Sequence, residues 1–152
     1  MKASAGILLY RRGASGLEVL LAHPGGPFWK NKDEGAWSIP KGEHASSEDA
    51  AAAARREFEE ETGVRLSEKL TPLGEVKQAG GKRVRAWALE RDLDAAALRS
   101  NTFPLEWPPG SGRVRQTPEV DRFEWFPIEV ARKKLVKTQT EFLDRLMILY
   151  GA

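Results

Sequence analysis

Four glutamates fall within five consecutive positions of the chain, at 57, 59, 60 and 61. The segment around them has the composition of a helix, so Glu57, Glu60 and Glu61 stand at i, i+3 and i+4 on one face. Like charges at this spacing cost about 0.2–0.5 kcal/mol per pair. Carboxylates near a helix C-terminus also face the negative end of the helix dipole, at about 0.3–1 kcal/mol each. Such an unfavourable arrangement is typical of a functional site.

Clustered carboxylate oxygens are the ligands that hard divalent cations prefer, so this helix face predicts a site for Mg²⁺ or Mn²⁺. Such an ion commonly bridges to substrate phosphates and activates water for attack on phosphorus. A solvated acidic face is the alternative for a glutamate run taken alone. The residues around the run favour the metal site.

The glutamates belong to a longer pattern of fixed spacing. Its specified residues, all matched by the chain, are Gly42, Glu48, Arg56, Glu57, Phe58, Glu60, Glu61, Gly63 and Val64. Seven of these positions demand one residue type each, so chance agreement is on the order of 10⁻⁸ per starting point at average composition. The pattern is the Nudix box, and over residues 42–64 the chain resembles a Nudix hydrolase.

The resemblance implies a ligand set for the metal. Glu57, Glu60 and Glu61 match the family's metal ligands, and the backbone carbonyl of Lys41 completes the coordination. Glu57, Glu60 and Arg56 match its catalytic residues. The expected cofactor is therefore Mg²⁺ or Mn²⁺.

Three further box residues are expected to have structural roles: Gly42, Glu48 and Gly63. The resemblance pairs Glu48 with Arg56, so that the two side chains brace the box loop against the helix.

The general base that activates water has more than one candidate. Glu57 is the candidate inside the box. Some family members use a carboxylate outside it, and Glu119 and Asp121 are available here. An ordinary surface role is the alternative for both.

The resemblance implies a pyrophosphohydrolase that cleaves a P–O–P bond in a nucleoside polyphosphate, such as a nucleoside triphosphate or diadenosine tetraphosphate. The sequence Trp-Ser-Ile-Pro-Lys-Gly at 37–42 is similar to that of members acting on such substrates. The alternatives are an ADP-ribose or nucleotide-sugar pyrophosphohydrolase, an enzyme of RNA 5′ ends, and a nucleotide-binding regulator without turnover.

Basic and aromatic residues outside the box are candidates for substrate contacts. They are Lys41, Arg83, Arg85, Trp107, Arg113 and Arg115. Arginine binds phosphate and a loop tryptophan stacks on a base, and Phe28 and Trp29 are further loop aromatics. His44, inside the box loop, is a candidate phosphate contact, whereas His23 is expected to be structural. A solvated surface role is the alternative for each basic residue.

The composition is that of one globular domain over residues 1–152. Hydrophobic residues make up 41% and charged residues 30%, the net charge is +2, and there is no cysteine. This balance excludes disulfide scaffolds and zinc–thiolate sites, and it argues against a stable nucleic-acid partner or a membrane span. We expect a cytoplasmic monomer or homodimer whose partner is a small-molecule nucleotide.

Hydrophobic patterning predicts an α/β fold, and the resemblance implies an α/β/α sandwich with a mixed β-sheet. Strands are predicted at 5–10, 17–22, 36–39, 70–76, 84–89 and 120–126. Helices are predicted at 46–62, 92–100, 128–135 and 137–150, and loops at 23–35 and 104–118. Ser46 is the predicted N-cap of the first helix and Gly63 its C-terminal glycine.

Overall fold

A six-stranded mixed sheet with helices on both faces forms the body of the computed structural model, which describes residues 3–151. The strands are β1 (Ala3–Gly13), β2 (Gly16–Pro24), β3 (Lys41–His44), β4 (Thr71–Lys77), β5 (Arg83–Glu90), β6 (Thr102–Glu106), β7 (Val114–Pro118) and β8 (Val120–Pro127). The helices are α1 (Ala50–Thr62), α2 (Ile128–Lys134) and α3 (Thr140–Tyr150). The predicted α/β/α sandwich is confirmed. Met1, Lys2 and Ala152, the ends of the predicted domain, lie outside the described residues.

Strand β1 organises the sheet, whose order is β4-β5-β1-β2-β8, with β3 also paired to β1. It runs parallel to β5 along one edge. On its other edge, residues 10–13 pair with β2 and residues 3–6 pair with β3, both antiparallel. The sheet therefore forks where β1 and β2 separate. None of the helices among residues 3–151 has the length and apolar character needed to cross a membrane.

The segment before β3 fills this fork. Ser38 exchanges two backbone hydrogen bonds with Ala22 of β2, at 2.8 and 3.0 Å, and Ile7 N–H of β1 donates to the Pro40 carbonyl at 3.2 Å. The predicted strand at 36–39 is wrong, because these residues make only isolated bridges. They are held between two diverging strands and cannot extend a ladder along either one.

Side chains of β1 alternate between two hydrophobic cores, as expected for a strand covered on both faces. Ile7 and Leu9 belong to the core that contains Phe58 of α1. Leu8 and Tyr10 belong to the core that contains residues of α2 and α3. The alanines before Phe58 let α1 lie directly on the sheet, as the small residues of the predicted helix indicate.

Helix α1 begins later than predicted. Asp49, not Ser46, is its N-cap, and the Asp49 carboxylate accepts a hydrogen bond from the Ala52 N–H at 3.0 Å. The pairing of β3 with β1 extends to His44, which leaves Ser46 in the following turn. Gly63 ends the helix as predicted, with a left-handed φ of 81°.

The loop predicted at residues 104–118 from its proline and glycine content is wrong. The structure has a two-stranded hairpin there, β6 and β7, with Phe103 opposite Thr117. Its prolines are tolerated because this ribbon is separate from the main sheet and its outer edges need no partner strand.

Two predicted helices are shorter than expected. Residues 92–100 form only one 3₁₀ turn, at Ala95–Ala97. The last helix is preceded by a 3₁₀ turn at Lys137–Gln139, so α3 itself begins at Thr140.

We expect Asp49→Ala to lower the free energy of unfolding by about 1 kcal/mol, because an N–H in the first turn of α1 loses its acceptor. Ser46→Ala is the matched control and should change it by less than about 0.5 kcal/mol. Urea denaturation of both variants measures the difference. An equal or larger loss in Ser46→Ala would contradict the assignment of the cap.

Candidate active site

The Glu57 carboxylate is buried where α1 meets β3. It lies directly against Gly42, and a Cβ on that glycine would stand only 1.8 Å from Oε1 of Glu57. Residue 42 must therefore lack a side chain for the carboxylate to fit. The backbone of β3 and the last turns of α1 form this corner together.

Arg56 connects the box loop with the helix. Its Nε and Nη2 donate to the two carboxylate oxygens of Glu48, at 2.9 and 3.0 Å. Its Nη1 donates to Glu57 at 2.7 Å and lies 3.3 Å from Oε1 of Glu60. The guanidinium holds the pKa of Glu48 below its usual value. One side chain thus contacts three carboxylates, and two parallel hydrogen bonds fix its orientation.

Glu61 lies on the other side of this cluster, next to the start of β3. Its Oε1 accepts a hydrogen bond from the backbone N–H of Lys41 at 3.3 Å. Burial raises the pKa of Glu61 to about 8; the charge of Lys41 opposes the rise, and the carboxylates of Glu119 and Glu57 add to it. Glu61, Lys41 and Glu119 line a small cleft of about 150 Å³.

Neighbouring carboxylates contribute to the raised pKa values of Glu57 and Glu119. Burial raises the pKa of Glu57, the hydrogen bond from Arg56 opposes this, and the charge of Glu60 adds to it. Burial and the charge of Glu60 likewise raise the pKa of Glu119. A cation placed among these groups would relieve their repulsion.

Glu119 reaches the cluster through a chain of backbone hydrogen bonds that starts at the end of α1. Asn101 N–H donates to the Glu60 carbonyl at 2.9 Å, and Glu119 N–H donates to the Asn101 carbonyl at 3.0 Å. Gly25 N–H then donates to the Glu119 carbonyl at 2.9 Å. The last carbonyls of α1 have no partner within the helix, and one of them, that of Glu60, is bound here by Asn101. Through Asn101, the end of α1 thus positions Glu119, which lies far along the chain.

Asp121 has different surroundings, although it is only two residues away. Its Oδ1 lies 2.8 Å from Nδ1 of His23, and Nε2 of the same ring lies 2.6 Å from the Lys32 carbonyl. His23 is almost fully buried, and both of its ring nitrogens face acceptors. The structure therefore groups Glu119 with the box glutamates and holds Asp121 against His23.

The box carboxylates do not converge on one point in this arrangement. Within residues 3–151, no three acidic or histidine side chains stand close enough to ligate one ion together. Nη1 of Arg56 contacts both Glu57 and Glu60. An ion bound by these glutamates would compete with that nitrogen for the same oxygens, whereas Nε and Nη2 could remain on Glu48.

Gln139 supports the site, and nothing in the sequence pattern singles it out. Its fully buried amide accepts from the Ile39 N–H at 3.0 Å and donates to Oγ of Ser38 at 3.1 Å. These bonds fix the segment that fills the sheet fork and leads into Lys41. The sequence around Gln139 does not indicate this role, because the residues that the amide contacts lie about 100 residues earlier in the chain.

The family model described as the NUDIX domain matches residues 1–146. The chain belongs to the Nudix family. The region matched far exceeds the Nudix box itself, so the sequence resemblance that the box carried extends over nearly the whole chain.

One curated relative of this Nudix chain is an octanoyltransferase from Myxococcus xanthus, which is 34% identical over 101 residues. The match covers 66% of the chain but only 25% of the relative, so the chain spans about a quarter of that protein's length.

Solved structures share the fold. A Caenorhabditis elegans Ap4A hydrolase in a binary complex has a TM-score of 0.64 at 24% identity, with 98% of this chain and 97% of that chain covered. The NUDIX domain of Shewanella oneidensis NrtR, complexed with ADP-ribose, has a TM-score of 0.65 at 16% identity, covering 97% and 86%. A mutT/nudix family protein from Listeria innocua has a TM-score of 0.64 at 21% identity, covering 97% and 92%. At these identities the likeness establishes the fold.

The candidate substrate contacts fall into separate places around the Nudix box. Arg83 and Arg85 lie on β5 and both pair with Glu75, at 3.4 and 3.7 Å. They line a pocket of about 340 Å³ together with His44 and Glu48. Lys41 lies elsewhere, on the small cleft beside Glu61.

The β6–β7 hairpin brings two other candidates together. Trp107 and Arg115 line a cleft of about 650 Å³, whereas Arg113 at the hairpin tip is not part of its lining. The rings of Phe28 and Trp29 pack against each other, with centroids 5.0 Å apart.

We expect Gly42→Ala to destabilise the fold by about 1–3 kcal/mol, because the new methyl group occupies the space of the Glu57 carboxylate. In a Glu57→Ala background that space is vacated, so the same substitution should cost much less. A double-mutant cycle of unfolding free energies measures this coupling. Equal losses in the two backgrounds would show that Gly42 serves another purpose.

Proposed function

We propose that this chain, acting as one Nudix domain, hydrolyses a P–O–P bond in a nucleoside polyphosphate such as a nucleoside triphosphate or diadenosine tetraphosphate. The observation that carries the proposal is the position of Glu57, Glu60 and Glu61 on the last turns of α1, with Glu61 and Glu119 lining one cleft. Family membership supplies the reaction class. The fold shared with an Ap4A hydrolase supports the substrate class.

Glu57, Glu60 and Glu61, together with the backbone carbonyl of Lys41, would hold a divalent cation. Carboxylate and carbonyl oxygens are the donors that Mg²⁺ and Mn²⁺ prefer, and a positive partner would stabilise the carboxylates of Glu57 and Glu61, whose pKa values burial raises. Such a cation supplies Lewis acidity, which offsets phosphate charge and acidifies the attacking water.

Arg56 has a positioning role in this proposal. When a cation replaces Nη1 of Arg56 at the carboxylates of Glu57 and Glu60, the two hydrogen bonds to Glu48 would still hold the guanidinium beside the cluster. Glu57 and Glu60 would therefore keep their positions while their oxygens exchange the arginine for the cation. The side chain of Lys41 lies on the same small cleft and adds positive charge where the phosphates bind.

Glu119 is the general base that we favour. It faces the small cleft with Glu61, and no ion pair engages its carboxylate among residues 3–151. Its raised pKa brings its basicity closer to neutral pH, as proton transfer from water requires. The alternatives are engaged elsewhere, since Glu57 is a ligand of the proposed cation and the carboxylate of Asp121 contacts His23.

ADP-ribose is a second candidate substrate, because the NUDIX domain of NrtR has the same fold and is complexed with it. It contains a P–O–P bond that the same chemistry would cleave. A substrate panel that includes ATP, diadenosine tetraphosphate and ADP-ribose, with products identified by mass, separates the two candidates.

We expect Glu60→Gln and Glu61→Gln each to lower kcat by at least about 100-fold with Mg²⁺ or Mn²⁺, because each removes a charge from a site whose ion contributes several kcal/mol. Glu59→Gln is the matched control: Glu59 is exposed on the same helix turn and should keep wild-type activity. Rates on ATP and diadenosine tetraphosphate, with and without EDTA, provide the measurement. Wild-type rates in both cluster variants would refute the assignment.

Glu119→Gln should lower kcat by about 10²–10⁴-fold, the contribution typical of a general base, with little change in KM. Asp121→Asn keeps a side chain of the same shape beside His23 and should stay within about tenfold of wild type. Steady-state kinetics on the best substrate of the panel compares them. If Glu119→Gln turns over at the wild-type rate, Glu119 is not the base; the base is then Asp121 if Asp121→Asn is inactive and Glu57 if both variants are active.

A further inference from the structure

A cleft of about 650 Å³ lies between the β6–β7 hairpin and the loop that follows β2. Its lining includes Gly26, Pro27 and Lys30 from the loop, and Trp107, Arg115 and Thr117 from the hairpin. The volume is within the range of small-molecule sites, which is about 300–1,000 Å³. None of these residues belongs to the Nudix box.

Trp107 presents an unoccupied aromatic ring to this cleft. It is 37% exposed, and no ring or cation contact engages it among residues 3–151. The rings of Trp29, Trp37 and Trp125, in contrast, each contact another ring or a cation. An exposed tryptophan without a partner is suited to stacking on a nucleobase.

Two cationic residues that line the same cleft as Trp107 have no ion-pair partner among residues 3–151. Within the described part of the chain, neither Lys30 nor Arg115 has a carboxylate within 4.0 Å, whereas Arg83 and Arg85 are both paired with Glu75. The only acidic residue lining the cleft is Asp121, and His23 contacts its carboxylate. The cleft is therefore suited to an anion that carries an aromatic group.

Both walls of the cleft are built before any ligand arrives. The Glu106 carboxylate accepts from the backbone N–H groups of Gly110 and Gly112, at 2.9 and 3.0 Å, and so fixes the hairpin tip. At the base, Gly25 packs on the hairpin so closely that a Cβ would stand 2.0 Å from the Pro118 carbonyl oxygen. A preformed cleft binds its ligand without first having to be ordered.

The cleft borders the glutamate cluster. Pro24 and Glu119 line the small cleft beside Glu61, while their near neighbours Gly26 and Pro118 line the large one. A ligand extended across this border would place its phosphates at the glutamates and its remaining part beside Trp107.

We propose that this cleft is the subsite for the nucleoside part of the substrate, with the base stacked on Trp107 and the adjoining phosphate bound by Lys30 and Arg115. The assignment rests on the proposed hydrolysis of nucleoside polyphosphates. It adds Lys30, which sequence reasoning missed, and leaves Arg83 and Arg85 outside the substrate contacts.

Ligand binding without turnover tests the subsite directly. ADP and GDP, titrated in EDTA, should quench the tryptophan fluorescence of the wild-type protein, and inorganic tripolyphosphate, which has no base, should not. Trp107→Phe should remove most of the quenching, and Trp107→Ala should weaken binding about 5- to 100-fold by calorimetry. Arg115→Ala and Lys30→Ala should each weaken binding severalfold and reduce its dependence on salt.

Val114→Ala is the matched control, because Val114 is exposed on the same hairpin and lies outside the cleft lining. It should bind ADP as the wild type does. The proposal is overturned if neither ADP nor GDP binds, if quenching persists in Trp107→Phe, or if Trp107→Ala binds with wild-type affinity. Unchanged melting temperatures of the variants show that the substitutions act on the cleft and not on the fold.

Failure of the proposed function is distinguishable from failure of the subsite. Binding that depends on Trp107, in a protein that hydrolyses no polyphosphate, would refute the function and support the subsite. Hydrolysis with a wild-type KM in Trp107→Ala would support the function and overturn the subsite.

Discussion

Carboxylates that share a partly buried space repel one another, and this chain compensates for the repulsion at several points. Arg56 contacts Glu57 and Glu60, and the backbone N–H of Lys41 contacts Glu61. Burial still raises the pKa values of Glu57, Glu61 and Glu119, and the charges of neighbouring carboxylates add to the rise. What remains is a local need for positive charge. Glu57 is held in this environment because its carboxylate is buried against Gly42 of β3.

The fork in the central sheet gives the cluster its fixed base. Because β1 pairs with β2 at one end and with β3 at the other, the chain between those strands must cross the opening. The buried amide of Gln139 satisfies the backbone of that crossing segment. Lys41 therefore enters β3 in one register, and Gly42 comes to lie under Glu57. The backbone hydrogen bonds of Ser38 and Pro40 to β2 and β1 therefore support both the packing around β1 and the position of the carboxylates at the end of α1.

Local patterns predicted much of this arrangement. The resemblance to the Nudix box predicted the pair of Glu48 and Arg56, and the alternating strands and the small residues of α1 predicted the layers. The errors arose where distant residues decide. Ser46 and Asp49 have similar capping tendencies, and only the pairing of β3 selects between them. The hairpin at 102–118 has a loop-like composition, and its strands form through cross-strand pairs and the bonds to Glu106. Glu119 and Asp121 are nearly equivalent in sequence, and their partners, Asn101 and His23, lie in other elements.

The β6–β7 hairpin also has a consequence for how this protein can be altered. It leaves the body at Asn101 and returns at Glu119, and the backbones of these two residues are already joined by a hydrogen bond of 3.0 Å. It pairs with no strand of the main sheet. A different segment inserted between Asn101 and Glu119 would start and end at residues that already lie close together. A change in the length of this segment would therefore add little to the entropy cost of closing the loop. The hairpin is therefore a segment that could be exchanged or lengthened while the main sheet and the carboxylate cluster keep their structure.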